Sequence, residues 1–180
     1  MKILQSSSFI LIVLAITATS CSKKLNYFTQ DLYEEYNWSV DDLKGVQFYL
    51  SDDIVLYREL ESESVAISDG KIKLRDGRKV EEVVFKKGTP GVLSFSPKEN
   101  RFAVSFDDDG RFLMFGPNQK AGGRFVLLAK DWDRRNGEVT YGDITYNTSS
   151  ASAFASLLVD LDKVGNTSYR KERVSGRKVD

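Results

Sequence analysis

From Val46 onward, short runs of alternating apolar and polar residues follow one another, separated by turn-forming residues. Gln47-Phe48-Tyr49-Leu50 and Ile54-Val55-Leu56-Tyr57 are rich in β-branched and aromatic side chains and are split by Ser51-Asp52-Asp53. Val65 and Ile67 alternate up to Asp69-Gly70, Ile72 and Leu74 up to Asp76-Gly77, and Val80 to Phe85 follows. Successive side chains on a strand point to opposite faces, so alternation marks a strand with one buried face. Asp-Gly accepts the positive φ of a two-residue hairpin turn. Residues 64–86 therefore predict a three-stranded meander.

The same pattern continues past Lys87-Gly88-Thr89-Pro90-Gly91. Val92 to Phe95 and Phe102 to Phe106 flank a turn at Pro97 to Asn100, and Asp109-Gly110 leads into Phe112 to Phe115. Phe125 to Ala129 comes next, then a turn signal at Asn136-Gly137. Val139 to Tyr141 and Ile144 to Tyr146 bracket Gly142-Asp143, and Ser156 to Leu161 reads as a last strand. Short strands at this spacing predict a mainly β fold, an antiparallel β-sandwich or a small β-barrel. One or two short helices precede it. Thr29 can cap a patch with Leu32, Tyr33 and Tyr36 on one side, and Ser39 with Asp42 has capping-box spacing, with Gly45 as the stop.

The N-terminal residues have a different texture. Met1-Lys2 is followed by the apolar run Phe9 to Ile16 and by small residues ending at Cys21. These are the parts of a secretory signal, and the run falls short of the roughly 17–25 residues that span a bilayer. Ala18-Thr19-Ser20-Cys21 resembles the lipobox of bacterial lipoproteins, with Ala18 where leucine is usual, a looser box of the kind found among Bacteroidota. The resemblance covers only the signal and the cysteine. It implies cleavage after residue 20 and a lipidated Cys21 that anchors the chain to a membrane; two or more acyl chains suffice for that. The stretches Val46 to Leu56, Val139 to Tyr146 and Ser156 to Leu161 are similar in texture to uncharacterised envelope lipoproteins of Bacteroidota, with no functional motif behind the similarity. Ser22, with no acid beside it, is similar to the default for outer-membrane sorting. The basic Ser22-Lys23-Lys24 points to the periplasmic face rather than the cell surface. The expected organisation is a signal peptide over 1–20, a lipidated tether over 21–28, one β domain over 29–162 and a basic tail over 163–180.

Composition narrows the chemistry. Lys plus Arg and Asp plus Glu number 26 each, a balance unlike that of a nucleic-acid binder. Cys21 is the single cysteine, so no internal disulfide forms and stability must come from packing. The chain has no histidine. That removes Ser-His-Asp and Cys-His nucleophiles, His-ligated zinc and the commonest acid/base near neutral pH. Phosphate-cradling glycine motifs are also absent, so no cofactor is expected.

Five candidate features remain. Asp107-Asp108-Asp109-Gly110 offers clustered oxygens to a cation, but it lacks the spacing of a calcium loop and reads more plainly as an acidic hairpin tip, as do Asp52-Asp53 and Asp131-Trp132-Asp133. No metal is expected. Asp160 and Asp162 would share a face if residues 156–162 were a strand, the minimum for a two-carboxylate hydrolase. Tyr27, Phe28, Tyr33, Tyr36 and Trp38 either dock the helices onto the sheet or form an interface. Trp132 reads as core or rim packing. In the polar tail, Ser168 to Lys171 matches a Ser/Lys spacing alone. The expectation is a non-enzymatic interaction or scaffold module for another envelope component. A glycan- or lipid-binding lipoprotein comes second, and a carboxylate-dependent glycan hydrolase third.

Overall fold

The computed structural model describes residues 24–60, 71–75, 77–133 and 136–167. Cys21 and the signal, the run at 65–67, Asp69-Gly70 and the tail beyond 167 lie outside the described residues. Twelve strands are described: β1 (Asn26–Tyr27), β2 (Gln47–Leu50), β3 (Ile54–Glu59), β4 (Lys71–Arg75), β5 (Arg78–Phe85), β6 (Pro90–Lys98), β7 (Arg101–Ser105), β8 (Phe112–Asn118), β9 (Arg124–Leu127), β10 (Asn136–Tyr141), β11 (Ile144–Ser149) and β12 (Leu157–Val159). The helices are α1 (Gln30–Glu35), α2 (Val40–Lys44) and α3 (Leu161–Thr167). None of the described helices is long and apolar enough to cross a membrane.

The strands form two antiparallel sheets, as in a β-sandwich: β1-β12-β2-β6-β7-β8-β9 and β10-β11-β3-β5-β4. The fold class read from the sequence is thus the observed one. Turn chemistry is obeyed where it was legible. Gly77, Gly110 and Gly142 all have positive φ, and the pairs Arg75↔Arg78 and Tyr141↔Ile144 close two-residue hairpins. Of the predicted meander, the β4–β5 hairpin is present, with β5 pairing on its other side with β3; its first strand lies outside the described residues.

The seven-stranded sheet curls strongly, as twisted sheets do. Its two ends meet without forming a continuous barrel. Phe28 N–H donates to Leu157 O (2.9 Å), Phe28 O accepts from Phe125 N–H (3.0 Å), and isolated bridges join Thr29 to Arg124 and Val126 to Ser156. Phe102, Val104, Leu113, Phe115, Phe125 and Leu127 alternate to the inside of the curl and are buried. Phe28 is fully buried among them. Its ring meets those of Phe125 (4.7 Å), Phe48 (5.2 Å), Trp38 (5.9 Å), Phe102 (6.0 Å) and Tyr33 (6.2 Å).

The helices follow from their caps. Thr29 Oγ1 accepts from Leu32 N–H (3.1 Å), and Ser39 and Asp42 form a reciprocal capping box. Leu43 is buried beneath α2. The tether expected up to residue 28 is partly folded, because β1 pairs with β12 and Phe28 enters the core. At the other end, the expected strand over 156–161 stops at Val159. The Asp160 carbonyl accepts from Lys163 N–H and Val164 N–H and starts α3, whose Val164 is buried. The boundary expected at 162 is therefore crossed by a packed helix. Asp160 and Asp162 do not share a strand face.

Chain crossings between the sheets are pinned to one another. Ser51 to Asp53 carries the chain from β2 to β3, and Lys86 to Thr89 returns it from β5 to β6. Asp53 accepts from Lys86 Nζ and Lys87 N–H, both at 2.8 Å, while Gly88 N–H donates to Leu50 O (2.8 Å). The Lys86 side chain, with the Lys87 amide, holds the Asp53 carboxyl below its ordinary range.

Replacing Phe28 by Ala is expected to lower unfolding free energy by about 3–5 kcal/mol, the usual loss for a core phenylalanine. Tyr36→Ala, at a 44% exposed position, is expected to change it by only about 0.5 kcal/mol. Urea denaturation of both variants checks the contrast.

Candidate functional site

Two adjoining grooves open on the outside of the curled sheet. Because Phe102 and Phe115 face inward, Arg101 and Gly116 face outward from neighbouring strands. The Arg101 side chain lies across Gly116, where an added Cβ would sit 2.8 Å from Nη1. A side chain there would push the guanidinium aside. Arg101, Leu128 and Ala129 line both grooves and join them.

The first groove is a seam of about 410 Å³ between β8 and β10, walled by Phe112, Met114, Leu128 and Val139. It is held open by the segment after β9. Leu128 N–H donates to Met114 O (2.8 Å), and Lys130 and Glu138 exchange backbone hydrogen bonds at 2.8 and 2.9 Å. These contacts lay residues 128–130 along the edge of β10.

The second groove, about 690 Å³, is more open and is framed by two exposed aromatics, Trp132 (39%) and Phe154 (61%). Both volumes fall in the roughly 300–1,000 Å³ range of small-molecule sites. Trp132 rests on the strand face of Gly137, where an added Cβ would sit 2.8 Å from the indole. That contact corrects the sequence reading of Asn136-Gly137 as a turn: both residues belong to β10, and Gly137 is there for close approach. Phe154 projects from a helical turn over Ser152–Phe154. The turn is fixed from below by the buried Ser152, whose hydroxyl accepts from Val55 N–H (3.2 Å).

The aromatic candidates near the N-terminus divide. Phe28 and Trp38 are core residues, unavailable to an interface, and Tyr33 packs against the core at its margin. Tyr27 and Tyr36 are exposed; Tyr27 stacks under the Arg124 guanidinium at 3.8 Å, and Tyr36 stacks on Trp38 at 4.7 Å. The segment therefore mainly docks the helices.

The acidic triplet is occupied internally. Arg111 pairs with Asp107 (3.0 Å) and Asp109 (3.1 Å), and Tyr141 donates its hydroxyl to Asp107. Burial, then the Asp107 carboxylate, push the Tyr141 hydroxyl far above its ordinary value, so it stays a donor. Among the described residues no three His, Cys, Asp or Glu side chains are grouped to hold a metal ion.

One buried carboxylate escaped the sequence reading. Glu81 is fully buried on the inner face of β5 and pairs with Arg58, directly opposite on β3, which also lies over the Tyr146 ring. It shares the inward face with Val83 and Phe85, but the apolar Val80 and Val84, in step with Glu82, blur the alternation that would separate the two glutamates. Glu81 and the buried Asp160 line neither groove, and among the described residues Glu138 is the one carboxylate that does.

Compared with protein-family models, curated proteins and solved structures, the chain matches none.

Gly137→Ala is expected to lift the Trp132 indole off β10. The measurement is acrylamide quenching of tryptophan emission: the accessible component should red-shift and quench faster, while the component from Trp38, 6% exposed, stays unchanged.

Proposed function

We propose that the chain is a lipid-anchored envelope lipoprotein whose β domain is a non-enzymatic interaction module for another envelope protein. In this reading the signal is removed, Cys21 carries the lipid, and the domain stands at the periplasmic face of the outer membrane. The lipobox-like Ala18 to Cys21 supports the anchor, and the basic residues after it support the face.

The observation that carries the docking surface is the open groove framed by Trp132 and Phe154. Apolar residues scattered singly on a surface need no explanation. Two aromatics flanking one groove, Trp132 packed on Gly137 and Phe154 on a turn fixed through Ser152, are a different arrangement. Trp is among the residue types that dominate binding energy at protein interfaces, and aromatics in general are enriched there. Asn118, Gln119 and Lys120 give the groove a polar rim at one end.

A non-catalytic role agrees with the chemistry at hand. The chain has no histidine, and Glu81 is committed to Arg58. A carboxylate hydrolase needs two acids facing one cleft. Among the described residues, Glu138 is the one carboxylate in the seam and none lines the Trp132 groove.

The test is purification of the tagged, lipidated protein from its own membranes in mild detergent, with mass spectrometry of what accompanies it. A stoichiometric envelope protein is expected with the wild type and with Tyr36→Ala. It should be lost with Trp132→Ala/Phe154→Ala, at roughly 2 kcal/mol per anchoring residue. Cys21→Ala should leave the membrane fraction. Retention of the partner by the double variant, or the absence of any partner at normal abundance, overturns the reading.

A further inference from the structure

The seam between β8 and β10 has features that protein docking at the neighbouring groove does not use. Its walls are apolar, whereas its charges among the described residues are one-sided: Lys98, Arg101 and Lys130 against the carboxylate of Glu138. Arg101 is half-buried, and its guanidinium has no hydrogen-bond or ion-pair partner among the described residues. Lys98 and Lys130 are likewise without an ion pair among those residues. Other cations of the described domain do pair with acids, as at Arg58–Glu81, Arg78–Glu59, Lys86–Asp53 and Arg111–Asp107, while isolated ones such as Lys79 and Lys120 do not among the described residues. The seam differs in gathering three such unpaired cations at one apolar groove.

A planar guanidinium held partly out of water keeps its donors in a fixed fork and favours an anion there. The rest of the seam favours hydrocarbon. Phe112 and Met114 stand on the outer face of β8, Val139 is buried opposite, and Leu128 closes one side. The apolar surface also continues outward. Phe95, 42% exposed, meets the Phe112 ring edge-on at 4.9 Å. Charge and apolar surface together describe one molecule: an elongated chain with an anionic end.

We infer that the seam binds a single-chain amphiphilic anion of the fatty-carboxylate type, its head on Arg101 and its acyl chain along Phe112, Met114 and Val139. Lys98 and Lys130 flank the head, and Glu138 offsets one of the three positive charges around it. This goes beyond the docking reading and does not rest on it.

The probe is dodecanoate labelled with ¹³C at its carboxyl, added below its micelle concentration. The full lipidated protein is held in neutral phosphatidylcholine nanodiscs, and empty nanodiscs serve as the blank. The expected result is one saturable carboxyl resonance per protein, distinct from that of dodecanoate dissolved in the lipid. Arg101→Gln should weaken it by about tenfold or more, the usual consequence of losing a charge-assisted bond. Met114→Gln, which places an amide in the acyl path and leaves the head site intact, should weaken it as well. Acetate and dodecanol should each fail to displace dodecanoate, since one lacks the chain and the other the charge. Dodecyl phosphate should displace it if the head site reads charge rather than the carboxylate alone.

Overturning results are the absence of a saturable site, unchanged affinity in Arg101→Gln with native circular dichroism, or equal displacement by dodecanol. A signal seen equally with nanodiscs alone assigns the binding to the bilayer and also overturns the inference. No partner is present in this experiment, so its failure leaves the docking surface at Trp132 and Phe154 to be judged by co-purification.

Discussion

A seven-stranded sheet that curls this far creates an interior, and the whole fold depends on how that interior is sealed at Phe28. The main chain of Phe28 joins the two ends of the sheet, donating to Leu157 and accepting from Phe125. Its ring fills the space between them, in contact with five other aromatic rings. Backbone pairing and burial act at the same residue, so the interior cannot open without exposing a buried ring and two backbone groups. Close packing makes both losses costly. If Cys21 carries the proposed lipid, the tether runs directly into the residue that seals the core.

That closure also determines where the grooves lie. With Phe102, Phe115, Phe125 and Leu127 committed inward, the opposite faces of β7, β8 and β9 must look outward. The segment after β9 then leaves the sheet and runs to β10 through Lys130 and Glu138. It forms a lip over Met114 and Phe112. Two glycines make the remaining shape possible: Gly116 lets Arg101 lie flat, and Gly137 lets Trp132 rest against the strand. The second sheet holds its own end together with the inward pair Arg58–Glu81. Buried ion pairs recover only part of their desolvation cost, so the pair by itself adds little net stability, while losing one partner would be costly.

Much of the architecture was legible in alternation and turn chemistry. Asp-Gly and Gly-Asp between alternating runs located the β4–β5 and β10–β11 hairpins, and Thr29 and Ser39 located the helix starts. What failed did so for tertiary reasons. Asn136-Gly137 carries a turn signal, yet the space above Gly137 is filled by Trp132, a contact that no local pattern reveals. Leu157-Leu158-Val159 continued into Asp160-Leu161 as a strand pattern until the packing of Val164 favoured a helix. The sequence leaves open whether Phe28 and Trp38 dock the helices or form an interface, because their burial depends on strands at positions 48, 102 and 125. Arg101 carried no signal at all, since its position depends on a glycine fifteen residues later and on the pairing register of β7 with β8.

The central claim is that the outward face around Arg101, Trp132 and Phe154 is the working surface of the domain. Site-specific photocrosslinking in intact cells tests it most directly, with a benzophenone side chain placed at Phe154 and, separately, at Val84, an exposed apolar position on β5. The account predicts one discrete crosslinked species from position 154 and none from position 84. Crosslinking from position 84 with none from position 154 would contradict it.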